Sequence, residues 1–286
     1  MDGFCTGSGW RDDRLFLELR EGDEKLLPIE QGQELAFRVE GLRSCVGYRP
    51  PTDHHLLPCP DQKAGIKASQ CPECFTRAAI LPCLRCDGDR CRNPERRGSC
   101  VQPENHAVYL AAFGPGLHKV GVARWGRRRE RVLEQGARAA LIIARDDGQM
   151  VRRLEQSIAR IGIPDRIPHG EKISALTEHG EPGQLAEELL SRLAGIRHRV
   201  RGQWLDLAEL LEIPEFPALE HRPIELPAED LAVRGQVERI IGQTIILRRE
   251  GNELVAIEAT SLHGYQLRSL RPDEGSSGQA SLLFAA

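Results

Sequence analysis

The chain has 286 residues, enough for two modest domains or one larger one, with an ordinary globular balance of 40% hydrophobic and 28% charged residues. It has no run of the roughly 18 apolar residues that a membrane span needs, and Met1–Arg11 lacks a basic head followed by an apolar stretch, so the sequence reads as cytoplasmic with no membrane partner. The formal net charge of -3 is uneven: Cys71–Gly170 carries 18 Lys and Arg against 11 Asp and Glu, nearly all of the cations being arginine, which suits bidentate phosphate contacts.

Met1 to about Gly41 reads as β. Leu15–Leu19 mixes apolar and polar residues, and Glu34–Glu40 alternates with period two. Cys45–Cys100 has little periodic pattern and is rich in Pro, Gly and Cys, so something other than an apolar core must order it. Ala107–Phe113 and Leu117–Ala123 are predicted strands joined at Gly114-Pro115-Gly116. A short helix over Arg127–Gln135 ends at Gly136, and Ala139–Ala144 is a third strand. Gln149–Ile161 is a predicted helix with Val151, Leu154, Ile158 and Ile161 on one face. Gln184–Ile196 and Trp204–Leu211 are predicted helices, and Pro214–Pro227 is a proline-rich connection. Thr244–Leu247 and Leu254–Ile257 flank the turn signal Glu250-Gly251-Asn252, and Pro272–Gln279 reads as a tail. The expected fold class is α+β, in five parts: a β-rich region 1–44, a cysteine-rich zinc-binding segment 45–102, a small α/β domain 103–170, a helical and proline-rich segment 171–227, and a β region with tail 228–286. Neither β end offers enough apolar surface for a stable sheet alone, so the two are expected to pack together.

Eight of the nine cysteines fall within one segment: Cys45, Cys59, Cys71, Cys74, Cys83, Cys86, Cys91 and Cys100. Cys71-Pro72-Glu73-Cys74 and Cys83-Leu84-Arg85-Cys86 are two Cys-x-x-Cys turns, each able to present two thiolates at about 2.3 Å from a tetrahedral zinc ion. Without a secretory signal, disulfides are not expected. An iron–sulfur cluster uses the same ligand number. One pairing joins Cys71, Cys74, Cys83 and Cys86, with Cys45, Cys59, Cys91 and Cys100 as a second site. The other uses consecutive cysteines: Cys45, Cys59, Cys71 and Cys74, then Cys83, Cys86, Cys91 and Cys100. The second is favoured, and His54 or His55 could replace a thiolate. One or two structural zinc ions are expected, with no open coordination position for catalysis.

His106-Ala-Val-Tyr-Leu110, Lys119-Val-Gly121, Arg131-Val-Leu-Glu-Gln135 and Glu155 on the later helix form a series that resembles the GIY-YIG nuclease superfamily, in the branch whose second motif reads Lys-Ile-Gly. The resemblance covers Asn105–Ile163. The whole chain also resembles an uncharacterised prokaryotic family that carries such a domain and a cysteine-rich zinc element. The resemblance implies that Tyr109 assists proton transfer, that Arg131 contacts the scissile phosphate, and that Glu155 holds one Mg²⁺. Lys119 stands where a tyrosine is usual, and Gln135 where histidine is frequent. Two extra residues precede Arg131, which leaves Arg128 and Arg129 as alternative matches.

Five arginines in eight residues, Arg124, Arg127, Arg128, Arg129 and Arg131, mark a basic stretch. Glu155 lies at the border of its helix's apolar stripe, where a carboxylate can face a cleft or pair with Arg152 at i−3. Three functions are compatible with these residues: a nucleic-acid phosphodiesterase, a zinc-containing module that binds DNA or RNA without cutting, or a protein–protein adaptor. The arginine concentration favours a nucleic-acid partner.

Overall fold

Alternating Leu15, Leu17 and Leu19 and alternating Leu35, Phe37 and Val39 are buried, while their neighbours on the same strands are half-exposed. That period-two pattern makes one face of a sheet. The computed structural model describes residues 1–50, 55–78, 81–200, 206–271 and 274. In chain order it contains β1 (Gly3–Arg11), β2 (Arg14–Glu21), β3 (Asp23–Ile29) and β4 (Glu34–Glu40), then α1 (Pro72–Arg77), α2 (Leu81–Leu84) and α3 (Pro94–Cys100). Next come β5 (His106–Gly114), β6 (Leu117–Arg124), α4 (Arg128–Gln135), β7 (Ala139–Asp146), α5 (Gly148–Arg160), α6 (His169–Ala175) and α7 (Pro182–Arg199). The last strands are β8 (Glu209–Leu210), β9 (Ile224–Glu225), β10 (Ala232–Ile241), β11 (Thr244–Arg248), β12 (Leu254–Glu258) and β13 (Gln266–Ser269). The fold class is α+β.

The chain divides into two compact units, and the cysteine-rich segment divides with it. A β unit comprises Met1–Tyr48, Pro58–Cys74 and Pro223–Ala286. An α/β unit comprises Arg49–Leu57 and Phe75–Arg222. In the β unit a nine-stranded sheet runs β3-β2-β1-β13-β4-β10-β11-β12-β9. Both ends of the chain therefore enter one sheet: β13 lies between β1 and β4, with Leu267 opposite Gly3 on one side and Val39 on the other. Only the β12–β9 pairing is parallel among the described strands.

The α/β unit is built on a four-stranded antiparallel sheet in the order β6-β5-β7-β8. Strand β5 is central and buried on both faces, which is why its sequence is a continuous apolar run rather than an alternating one. Val108, Leu110 and Ala112 pack with Val151, Leu154 and Ile158 of α5 and with Leu185, Leu189 and Leu193 of α7. Each such side chain contributes about 1.5–3 kcal/mol by leaving water. Ala107, Tyr109, Ala111 and Phe113 point to the other face, where Val132 of α4 packs. The Asp147 carboxylate starts α5 by accepting from Gln149 N and Met150 N at 2.8 and 2.9 Å. Gly136, in the left-handed conformation at φ 75°, ends α4.

The helix expected over Trp204–Leu211 does not form where the chain is described: Glu209–Leu210 instead add strand β8 to the edge of β7. Trp204 and nearly all of the Pro272–Gln279 tail lie outside the described residues. Short helices α1, α2 and α3 occupy a segment whose sequence shows no helical period, and α6 is a further helix without a sequence forecast. Among the described residues no helix is long and apolar enough to cross a membrane.

Candidate functional site

Four cysteines meet in the β unit. The sulfurs of Cys45, Cys59, Cys71 and Cys74 all lie within 4.8 Å of one another, and all four residues are buried. Cys59 Sγ and Cys71 Sγ are 3.9 Å apart. A regular tetrahedron of zinc–sulfur bonds has edges of about 3.8 Å. Backbone groups point at the sulfurs: Gly47 N and Cys71 N donate to Cys45 Sγ at 3.4 and 3.3 Å, and Cys74 N donates to Cys71 Sγ at 3.5 Å. The loop is tied down by Cys45 N to Lys63 O at 2.7 Å and Val46 N to Ser69 O at 2.9 Å. Burial, and then the sulfurs of Cys45, Cys71 and Cys59, push the Cys74 thiol well above its ordinary range. The group is compatible with a structural zinc site, whose charge would let all four sulfurs ionise. The pairing of Cys71 and Cys74 with Cys83 and Cys86 is thereby corrected, because Cys45 and Cys59 complete this cluster. His55 is exposed, His54 lies outside the described residues, and the four ligand atoms are sulfurs.

The α/β unit gathers the other candidates. Tyr109 on β5 faces Gly121 on β6, and Lys119 faces Ala111, so both side chains lie on the α4 face of the sheet. The Tyr109 ring occupies the space beside Gly121, where a Cβ would lie 2.5 Å from the phenol oxygen. Burial pushes the Tyr109 hydroxyl up to about 12, against the charge of Arg131 nearby. Lys119 Nζ donates to Gln135 Oε1 at 3.2 Å. Burial, with Lys172 and Arg131 nearby, brings the Lys119 amine down to about 8, against the pull of Glu155 and Asp165.

Glu155 is not an open carboxylate. Its residue is 4% exposed, and Arg152 Nη1 sits 2.7 Å from Oε2. The i−3 pair expected as a surface contact is thus half-buried, with Glu155 the buried partner, and burial raises the Glu155 carboxyl above its ordinary value while Arg152 opposes. Tyr109, Lys119, Arg131 and Glu155, contributed by four separate elements, therefore share one electrostatic neighbourhood. Lys119 and Glu155 are buried charges, which cost stability unless paired, so the group around them is a functional-site candidate on physical grounds.

The arginine run is not a uniform solvated face. Arg128 donates to Trp125 O at 3.0 Å and pairs with Glu209 at 3.4 Å, and Arg129 Nε donates to Glu212 O at 3.1 Å. Arg127 and Arg131 share Glu134, at 2.7 and 3.3 Å, with side chains 61% and 47% exposed. Arg124 is exposed. The guanidinium carbons of Arg128 and Arg145 lie 4.1 and 4.0 Å from the Trp125 ring centre. Trp125 and Arg145 belong to this surface and were not among the sequence candidates; a tryptophan directly after Arg124 is the signal that points to them.

Cys83, Cys86, Cys91 and Cys100 are in the α/β unit, where they line one cavity of about 250 Å³. Cys5 is buried in β1, and burial pushes its thiol up to about 12, which makes it a core residue.

Comparison with known proteins gives a family match, described as "Protein of unknown function (DUF2797)", over residues 32–267. No curated protein and no solved structure matches the chain.

Proposed function

The chain belongs to the DUF2797 family, whose match spans parts of both units, and from that premise we propose that it is a nucleic-acid-directed protein that grips phosphate through its α/β unit without cutting it. The observation that carries this reading is the surface formed by exposed Arg124, Arg127 and Arg131 beside Trp125, against which Arg128 and Arg145 rest. Guanidinium groups provide bidentate phosphate contacts, and Trp125, with Arg128 and Arg145 both about 4 Å from its ring centre, fixes the cations of this surface in place. Arg128 and Arg129 are tethered by Glu209 and by the Glu212 carbonyl, so they shape this surface while Arg124, Arg127 and Arg131 supply the phosphate contacts. In this reading the cysteine cluster of the β unit is a structural zinc site.

A GIY-YIG-type origin is supported by the order β5, β6, α4, β7, α5 and by the Tyr109, Lys119, Arg131 and Glu155 neighbourhood. That neighbourhood also favours a second reading, a Mg-dependent phosphodiesterase. The residues present do not fit the metal. A hydrated Mg²⁺ needs an accessible carboxylate and room for several waters. Glu155 is buried with one oxygen committed to Arg152, and the Lys119 amine adds a cation to the same neighbourhood. Tyr109 is a neutral phenol at physiological pH, and Gln135, bonded to Lys119, is neither acid nor base.

The test is a cleavage assay on mixed DNA and RNA with Mg²⁺ or Mn²⁺, run beside a binding assay. The wild type is expected to bind and leave the strands intact, and Glu155→Ala to bind as well or more tightly, since a negative charge near phosphate is removed. Metal-dependent cleavage that Glu155→Ala abolishes would establish the phosphodiesterase instead.

A further inference from the structure

We infer that Cys83, Cys86, Cys91 and Cys100 hold a second structural zinc ion, within the α/β unit and independent of the cluster in the β unit. The four line one cavity of about 250 Å³, which Asn93 and His106 also line. Its strongest support is a turn that occurs twice in the chain. In the first cluster Cys45 is followed two residues later by Gly47, whose N–H donates to Cys45 Sγ at 3.4 Å. At the second place Cys86 is followed two residues later by Gly88, whose N–H donates to Cys86 Sγ at 3.4 Å. Gly47 and Gly88 have φ of 95° and 88°, a left-handed backbone that wraps a loop tightly round a sulfur and that glycine adopts without strain. The same local device thus appears in a group whose sulfurs already converge and in a group that lines one cavity, no three of whose sulfurs lie within 4.8 Å of one another, so that loading the ion would draw them together.

The surroundings are built for sulfur. Asn93 is 6% exposed and its Nδ2 donates to Cys83 Sγ at 3.3 Å; the Cys91 thiol donates to the Asn93 backbone carbonyl at 3.3 Å, a contact of the protonated sulfur that metal loading would replace. A side chain amide directed at a sulfur stabilises the thiolate form that a metal requires. His106 also lines this cavity, and its Nδ1 is buried and without a hydrogen-bond partner, a donor that the Nδ1-protonated tautomer could offer to a ligand in the cavity. Gly148 leaves the room that Cys100 needs: a Cβ there would lie 2.5 Å from Cys100 Sγ.

Four thiolates around Zn²⁺ carry a net charge of about -2, and Arg92 and Arg96 on the cavity wall would offset it. The knuckle is docked on α5, where Arg153 Nε donates to Gly88 O at 2.9 Å and no side chain fits at Gly88, since a Cβ would approach Gln149 O to 2.3 Å. The ion would hold α2, α3 and their loops, too short to carry a core of their own, against the start of α5. Loading it releases the thiol protons and involves no change of oxidation state.

The test is metal content and ¹¹³Cd NMR on the full chain. The wild type is expected to carry two zinc ions per chain and, after exchange with cadmium, to show two resonances in the four-sulfur range. Cys86→Ser/Cys91→Ser should lose one ion and one resonance while the other stays at its wild-type position, which also reports that the β unit remains folded. Cys59→Ser/Cys71→Ser should remove the other. A single ion and a single resonance in the wild type, or full metal content in Cys86→Ser/Cys91→Ser, would overturn the second site. Iron with acid-labile sulfide on these four cysteines would overturn its assignment to zinc.

Discussion

Replacing Cys71 and Cys74 with serine is expected to remove one zinc ion and release the cysteine-bearing loop of the β unit, residues 44–48 and 58–74. A structural zinc contributes about 10 kcal/mol or more to the folded state of a small metal-dependent segment. The loop has little else to replace it: its cluster is the four cysteines with Tyr48 and Ile66 packed against them. Hydrogen exchange reads the effect directly. The Cys45 and Val46 amides, bonded to Lys63 O and Ser69 O, should lose their protection, whereas the Leu110 and Leu141 amides of the α/β sheet should keep theirs. Unchanged protection of Cys45 and Val46 in a zinc-free variant would show that the loop is held by its own packing.

The second large effect is expected from Arg127→Ala/Arg131→Ala. Both guanidinium groups are exposed and lean on one carboxylate, Glu134. On the proposed reading, removing them deletes two phosphate contacts and leaves the largely buried Glu134 carboxylate without its two partners, which adds repulsion toward a phosphate. Affinity for nucleic acid should fall at least tenfold, about 1.4 kcal/mol, with little dependence on sequence. The slope of log affinity against log salt should become shallower by about one for each phosphate no longer neutralised. Arg14→Ala, on β2 of the other unit, serves as the matched control and should change neither quantity. Equal affinities for the double variant and the control would place the binding surface elsewhere.

How much of this was legible in the sequence depends on how local the signal is. From β5 to α5 each element carries its own: a doubly buried apolar run, the Gly136 stop, the Asp147 cap and a helical stripe. Residues 207–213 show the opposite case. Trp204–Leu211 has the composition of a helix, but Leu207, Leu211 and Ile213 pack on the Tyr109 face and Glu209–Leu210 pair with β7. Their even spacing fits the two-residue period of a strand, and tertiary pairing overrides helix propensity there. The consecutive pairing that gathers Cys45, Cys59, Cys71 and Cys74 was visible as a preference, whereas the Cys-x-Gly turns at Cys45 and Cys86 were an unread local signal. Glu155 could be set at the edge of a stripe from its helical angle, but its burial depends on neighbours such as Lys119 that are far away in sequence. The pairing of Arg127 and Arg131 through Glu134 is local and readable at helical spacing for Arg131; the tethers from Arg128 to Glu209 and Arg129 to Glu212 are not.

Whether the α/β unit acts on nucleic acid at all is decided most directly by titrating the full, metal-loaded chain with single- and double-stranded DNA and RNA at several salt concentrations. Binding through exposed guanidinium groups predicts an affinity that is measurable at low salt and falls steeply and linearly on logarithmic axes as salt rises, whatever the base sequence. No binding to any of these polymers at low salt would contradict a nucleic-acid role and leave a protein partner as the remaining reading of this surface.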